Sequence, residues 1–139
     1  MLPEQQPISY LETPSRPKLK LPRGACDTHC HIFGPRSRFP YADTRYFTPH
    51  DAPKEKLFAL HAMLGVERCV IVQSATHGFD NAALADAIAE KNGSYLGVAL
   101  LPVDVSDGEL RRHDAAGFRG IRYSYMNGQA DKAVPVEKV

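Results

Sequence analysis

The chain has 139 residues, with 17 Lys and Arg against 16 Asp and Glu, and a formal net charge of +1 at pH 7. So even a balance excludes the strong field by which a basic domain gathers nucleic acid or an anionic membrane, and any partner must be recognised by a local site. No apolar run approaches the ~20 residues that span a bilayer, and the N-terminus lacks the basic start and apolar core of a secretory signal, so no membrane partner and a cytoplasmic address are expected.

Residues 1–23 hold Pro3, Pro7, Pro14, Pro17 and Pro22 among polar residues. Such a composition propagates neither a helix nor a central strand, and it predicts an extended arm. A first strand follows over Ala25 to Ile32, then a long loop from Phe33 to Ala52 with three prolines and the aromatics Phe39, Tyr41, Tyr46 and Phe47. Long loops after strands often carry function. Leu57, Phe58, Leu60, Met63 and Leu64 recur at helical spacing, with Pro53 suited to the first turn and Gly65 to the stop. The run Arg68 to Gln73 is β-branched and continuous, as expected of a strand covered on both faces.

The alternation then repeats. Ala82 to Ala89 reads as a helix with Asn81 as its cap, and Tyr95 to Leu101 as a third strand. Asp107 to Ala116 reads as a third helix and Gly120 to Tyr123 as a fourth strand, followed by an irregular tail over 127–139. The order β-α-β-α-β-α-β predicts an α/β fold with a parallel sheet and right-handed crossovers, either doubly wound or barrel-like. No G-x-G-x-x-G or P-loop follows any strand, so a nucleotide site has no motif support. Cys26, Cys30 and Cys69 lack the paired spacing of a zinc knuckle or disulfide framework and read as reduced, mostly buried thiols.

The stretch Asp27-Thr28-His29-Cys30-His31 sets two imidazoles two residues apart at the end of the first strand. Strand alternation points both the same way, about 6.6 Å apart along the chain. Two such rings can ligate a divalent cation or polarise a carbonyl oxygen, and the spacing alone leaves both open, together with a purely structural role. Gln73, Ser74, Thr76 and His77 lie past the second strand, and Arg119, Arg122 and Tyr123 at the fourth. In a parallel sheet these strand ends are neighbours, on the edge where ligands bind. Two histidines with a Ser-x-x-His turn and an arginine suit an anionic, carbonyl-bearing substrate. Each has a plainer use: Ser74 and Thr76 as turn bonds, His77 as an exposed turn residue, Tyr41 and Tyr46 as packing, and Asp80 as a helix cap. Arg122 is favoured over Arg119 because it follows Ile121 and turns inward. His61 and His113 are expected to be solvated or capping.

Ala25 to Pro35, Phe39-Pro40-Tyr41 with Tyr46-Phe47-Thr48-Pro49, Val70 to Gly78 and Gly117 to Arg122 closely resemble, in order and at fitting separations, the 2-pyrone-4,6-dicarboxylate lactonase branch of the amidohydrolase superfamily. The resemblance runs from about Gly24 to Tyr125. It implies a hydrolase built on a TIM-type (β/α)8 barrel, with residues 24–126 forming about its N-terminal half. It also implies water attack on a small carboxylated lactone, His29 and His31 at the reacting carbonyl, and Tyr46, Ser74, His77 and Arg122 holding carboxylates and nearby oxygens. It further implies no metal or other cofactor; the alternative, common in the superfamily, is zinc on His29 and His31 in a metal-dependent hydrolase or decarboxylase.

A full barrel needs about 250 residues. The later-strand histidine and final-strand aspartate that serve the superfamily as general base have no match. Asp27 adjoins the histidines but is read as pointing outward. A half barrel that binds ligand or self-associates through its open edges without turnover is the competing expectation.

Overall fold

The computed structural model describes residues 4–123. Its elements are β1 (Cys26–Cys30), α1 (Lys54–Leu64), β2 (Arg68–Val72), a 3-10 turn (Ala75–His77), α2 (Ala82–Ala89), β3 (Tyr95–Leu100), α3 (Asp107–Ala115) and β4 (Phe118–Arg122). Every expected element is present, with ends unchanged or moved by one or two residues. The tail expected over 127–139 lies outside the described residues. Residues 4–25 form no helix or strand apart from a bridge between Gln5 and Thr48.

The four strands are all parallel and lie in the order β1-β2-β3-β4. This order separates the two folds that the sequence leaves open. A doubly wound sheet reverses direction at a switch point, whereas consecutive neighbours joined by right-handed crossovers put every helix on one face, as in a barrel. The core has that one-sided form. Cys69, Ile71, Tyr95, Ala99 and Phe118 of the sheet form one cluster with Ala83, Leu84, Ala87 and Ile88 of α2, and Leu57, Phe58 and Leu110 from α1 and α3 pack on it. The intervening residues Val70, Leu96 and Val98 are only half-buried and lie on the bare face. Gly97 lies at the tightest point, where an added Cβ would fall 2.5 Å from Phe118 Cδ1 and 2.7 Å from Ile88 Cδ1.

Local chemistry explains the helix ends. Ser106 Oγ accepts from the Glu109 amide while Glu109 Oε2 accepts from the Ser106 amide, a reciprocal capping box at α3. At α2 the expected cap is corrected. Asn81 makes no side-chain cap bond; its amide donates to Leu100 O and accepts from Leu100 N, tying α2 to β3, and Asp80 Oδ1 takes the Ala82 amide instead. His61 is also corrected: it is 2 % exposed rather than solvated, because it continues the inward stripe of Leu57 and Leu64. His113 is half-buried, with its ring edge-on to Phe118. The three thiols are free, but Cys26 is exposed; Cys30 and Cys69 meet at 3.2 Å between sulfurs, and that contact, with burial, pushes the Cys30 thiol well up. Among the described residues no helix is long and apolar enough to cross a membrane.

Lys54 opens α1 and reaches α2, where its buried ammonium lies 2.5 Å from Asp86 and also meets Glu90, while Arg38 holds the other Asp86 oxygen at 2.6 Å. Burial pushes the Asp86 carboxyl up, but Lys54 and Arg38 together outweigh it and hold the group below the usual carboxylate range. A depressed carboxylate stabilises the fold above its unfolded value of about 4 and loses that contribution as pH falls through the folded value. Lys54→Met is therefore expected to lower stability by about 1–3 kcal/mol at pH 7. It should also lose less between pH 5 and pH 3 than the unaltered chain, as read from urea midpoints. Equal acid losses in both would remove Lys54 from the linkage.

Candidate functional site

Strand β1 is irregular where it matters most. Asp27 pairs with Cys69 and Cys30 with Ile71, so three steps on β1 match two on β2 and one residue is extra. Strict alternation would put Asp27 on the face of His29 and His31. The extra residue reverses this: Asp27 turns to the helix layer, where Oδ2 lies 3.2 Å from His61 Nε2, and the two histidines share the other face with ring centroids 5.2 Å apart, edge to face.

His31 Nδ1 lies 2.7 Å from Val72 O. A carbonyl only accepts, so Nδ1 carries the proton and the neutral ring keeps its lone pair on Nε2. Burial lowers the His31 pKa; the bond to Val72 opposes that, and His29 and the Arg122 charge reinforce it. The ring is neutral at pH 7 and can accept a proton at Nε2. Arg122 donates from Nη1 to Gln73 O at 3.1 Å, the carbonyl next to the one that holds His31. Thus His29, His31 and Arg122 gather at the C-terminal end of β2.

His77, Ser74 and Tyr46 have other surroundings. His77 is buried, donates from Nδ1 to Pro40 O at 3.1 Å and accepts the Gly34 amide on Nε2 at 3.2 Å, so both ring nitrogens brace the loop over 33–52. Burial lowers its pKa too. Gly34 has φ +72°, and a Cβ there would fall 2.6 Å from Arg36 N and 2.9 Å from Asp51 Oδ1, which is why this contact needs glycine. Ser74 Oγ accepts from Thr76 N at 3.3 Å and meets Thr76 Oγ1 at 3.2 Å, the turn-bonding use. Tyr46 is half-exposed in the loop, and ring contacts run without a break from Tyr46 to Phe47, Phe33, His31 and His29. Arg119 turns to Asp114 on α3, away from this edge.

Two residues outside the sequence-derived set organise the site. Asp51 holds the loop: Oδ1 accepts from Tyr41 Oη at 2.6 Å, Oδ2 from the Arg36 amide at 3.0 Å, and its carbonyl from Tyr10 of the N-terminal arm at 3.0 Å. His61 holds Asp27. The signal for His61 was its place in the α1 stripe; for Asp51 no local signal exists, since its partners Tyr41, Arg36 and Tyr10 lie 10, 15 and 41 residues earlier in the chain.

Whether these residues suit a metal can be tested on the donor set. His29 and His31 offer two donors, and among the described residues no cluster of three or more His, Cys, Asp or Glu forms. Catalytic zinc takes three protein ligands, so the described donors do not make up such a site and no step is routed through a metal.

The amidohydrolase family profile matches residues 26–134. A 2-pyrone-4,6-dicarboxylate hydrolase of Comamonas testosteroni is 44% identical over 124 residues, covering 89% of this chain and 41% of that protein. A 4-sulfomuconolactone hydrolase of Rhizobium radiobacter is 38% identical over 117 residues, covering 84% and 39%. Among solved structures, an apo Agrobacterium tumefaciens protein superposes with a TM-score of 0.70 at 28% identity, over 82% of this chain and 42% of its own. A protein named probable 2-pyrone-4,6-dicarboxylic acid hydrolase from Acinetobacter baumannii, with citric acid bound, gives 0.65 at 25% identity over 72% and 37%. The chain spans about two fifths of the length of the curated relatives it matches. With most of its length inside the family profile, and with the one-sided parallel sheet and paired histidines described above, the chain belongs to the amidohydrolase family.

Proposed function

We propose that this chain carries the substrate-polarising part of a hydrolase that opens a small carboxylated lactone of the 2-pyrone-4,6-dicarboxylate type. The observation that carries the reading is the trio His29, His31 and Arg122, with His31 and Arg122 fastened to consecutive carbonyls of β2. In the reaction the oxygen of water bonds to the lactone carbonyl carbon and the ring C–O bond breaks. One proton of water ends on the released ring oxygen, and the new acid ionises to an additional carboxylate. The paired imidazoles suit the developing charge on the carbonyl oxygen, and the guanidinium suits a substrate carboxylate. Tyr46 borders the same edge through its ring contacts, while Ser74 and His77 act from behind by shaping the turn and the loop. The reading is metal-free, since the histidine pair and the arginine provide the polarisation; zinc on His29 and His31 is the alternative. A bound tricarboxylate in the Acinetobacter relative agrees with an anion-holding pocket. The free thiols agree with a cytoplasmic setting.

A second reading, assembly without turnover, is favoured by one observation: among the described residues β1 and β4 each have a single strand neighbour, so each leaves an edge able to pair with another copy.

The deciding experiment follows loss of ultraviolet absorbance as the chain is mixed with 2-pyrone-4,6-dicarboxylate, first with chelator and then with zinc. Turnover unaffected by chelator supports the metal-free lactonase; turnover only with zinc supports the metal-dependent form; none in either condition overturns hydrolysis by this chain. Arg122→Met is expected to weaken binding of the dicarboxylate by about 2–5 kcal/mol, far more than binding of a neutral lactone. Equal losses for both ligands would take Arg122 out of the carboxylate contact.

A further inference from the structure

Behind the histidine pair, on the opposite face of β1, runs a second polar chain that the proposed reaction does not use. Tyr95 Oη lies 2.7 Å from His61 Nδ1, His61 Nε2 lies 3.2 Å from Asp27 Oδ2, and Asp27 Oδ1 accepts the backbone amide of His29 at 3.1 Å. His61 and Tyr95 are each 2 % exposed. The polarity of the chain follows from its end. A carboxylate only accepts, so His61 carries its proton on Nε2, Nδ1 is left as an acceptor, and the Tyr95 hydroxyl donates to it. Burial pushes the Tyr95 hydroxyl up to about 12, which keeps that donor in place at neutral pH.

The chain ends at the one irregular point of the sheet. Between Asp27 and Cys30 lies the extra residue of β1, and the amide of His29 is answered by the Asp27 side chain. That bond closes a local turn of the strand, and the turn is what puts His29 on the face of His31 and Asp27 on the other. We propose that Asp27, tethered from below by His61 and Tyr95, is a positioning residue that sets the relative orientation of the His29 and His31 rings. This rests on the reading that those two rings act on the substrate carbonyl. A side chain more than half enclosed, with one oxygen on a buried imidazole and the other on a backbone amide, cannot swing without breaking one of the two bonds. The cost of leaving the imidazole unanswered is what holds the strand in its irregular form.

The proposal separates two substitutions that remove the same charge. Asp27→Asn retains an oxygen for the His29 amide, and its NH2 can donate to His61 Nε2 once the ring moves its proton to Nδ1 and donates to the Tyr95 oxygen; all three bonds are remade, the two of His61 with reversed polarity. Asp27→Ala makes none of them. The test is nuclear magnetic resonance on the 139-residue chain, reading ring-to-ring contacts between His29 and His31 and hydrogen exchange at the His29 amide. Asp27→Ala is expected to lose the ring contact and to speed exchange at His29 at least tenfold beyond the change at β2 and β3 amides, while Asp27→Asn stays within about twofold. Tyr95→Phe, which loses one bond of the same chain but not the one to His29, is expected to lower the melting temperature and keep the ring contact.

Where the unaltered chain opens the lactone, Asp27→Ala should lower kcat at least tenfold with KM within about twofold, and Asp27→Asn should restore it. A ring contact that persists in Asp27→Ala, or an Asp27→Asn variant that is folded yet behaves as Asp27→Ala does, overturns the proposal. If Asp27→Ala does not fold, His61→Phe removes the tether and keeps the carboxylate; an unchanged ring contact there overturns it as well. A chain that shows this resonance pattern but opens no lactone defeats the proposed reaction and leaves the positioning role standing.

Discussion

On the proposed lactonase reading, replacing His31 by phenylalanine is expected to lower kcat/KM for ring opening of 2-pyrone-4,6-dicarboxylate by about 10²–10⁴-fold, with the fold retained. Phenylalanine keeps a planar ring among Phe33 and His29 but has neither the Nδ1 donor that meets Val72 O nor the Nε2 lone pair on the other side. The structural cost is one partly buried hydrogen bond, about 1 kcal/mol. That is small beside the stability of an ordinary domain, whereas under the proposed reaction the same change removes the group that would accept a proton or hydrogen bond at the reacting carbonyl. Stopped absorbance kinetics give the rate, and circular dichroism melting of the same sample gives the fold. A loss under tenfold with an unchanged melt would place His31 away from the reacting carbonyl.

A large effect on stability is expected at the contact of Gly97 with Phe118. Gly97→Ala destabilises by about 1–3 kcal/mol, because its methyl would enter a space in which Phe118 Cδ1 and Ile88 Cδ1 stand 2.5 and 2.7 Å away. Phe118 is 4 % exposed and belongs to the cluster that joins α2 to the sheet, so its ring has little room to retreat. Shortening that ring relieves the clash. Phe118→Leu alone leaves a cavity and is destabilising by about 1–3 kcal/mol. In combination with Gly97→Ala it should cost less than the two single changes added, with a coupling of about 0.5–3 kcal/mol. Urea unfolding of the four proteins closes the cycle. Strict additivity would mean that β3 moves away from α2 to admit the methyl and that the ring is not what excludes it.

The elements were legible because their signals are local. A β-branched run such as Arg68 to Val72, and a helical recurrence such as Leu57, Leu60 and Leu64, need only nearby residues to be read, and their ends fell close to where proline, glycine and capping residues put them. The strand order was not legible from residues, since pairing of β3 with β2 rather than with a more distant strand is a contact between segments whose spacing allows both. Asn81 shows the same limit. Its position suited a cap, but the Leu100 backbone that engages its amide lies nineteen residues on, and nothing beside Asn81 announces it. In the site, the H-x-H spacing was enough to aim two rings at one point, although by a route that strict alternation does not describe. The engagement of both His77 nitrogens depends on how the loop over 33–52 folds back, so spacing alone could not foresee it.

Val72 O and Gln73 O are successive carbonyls of one strand end, and successive carbonyls point to opposite neighbours. One receives His31 from the side of β1 and the other receives Arg122 from the side of β4. Both groups are therefore measured from the same origin. A small shift of β2 that kept both bonds would carry the imidazole and the guanidinium the same way, as a common-mode error, and would change their separation less than their absolute positions. The lactone of the proposed reaction, with its carbonyl and carboxylate on one rigid small ring, would require just that difference to be constant, and a shared reference strand is the arrangement that serves it.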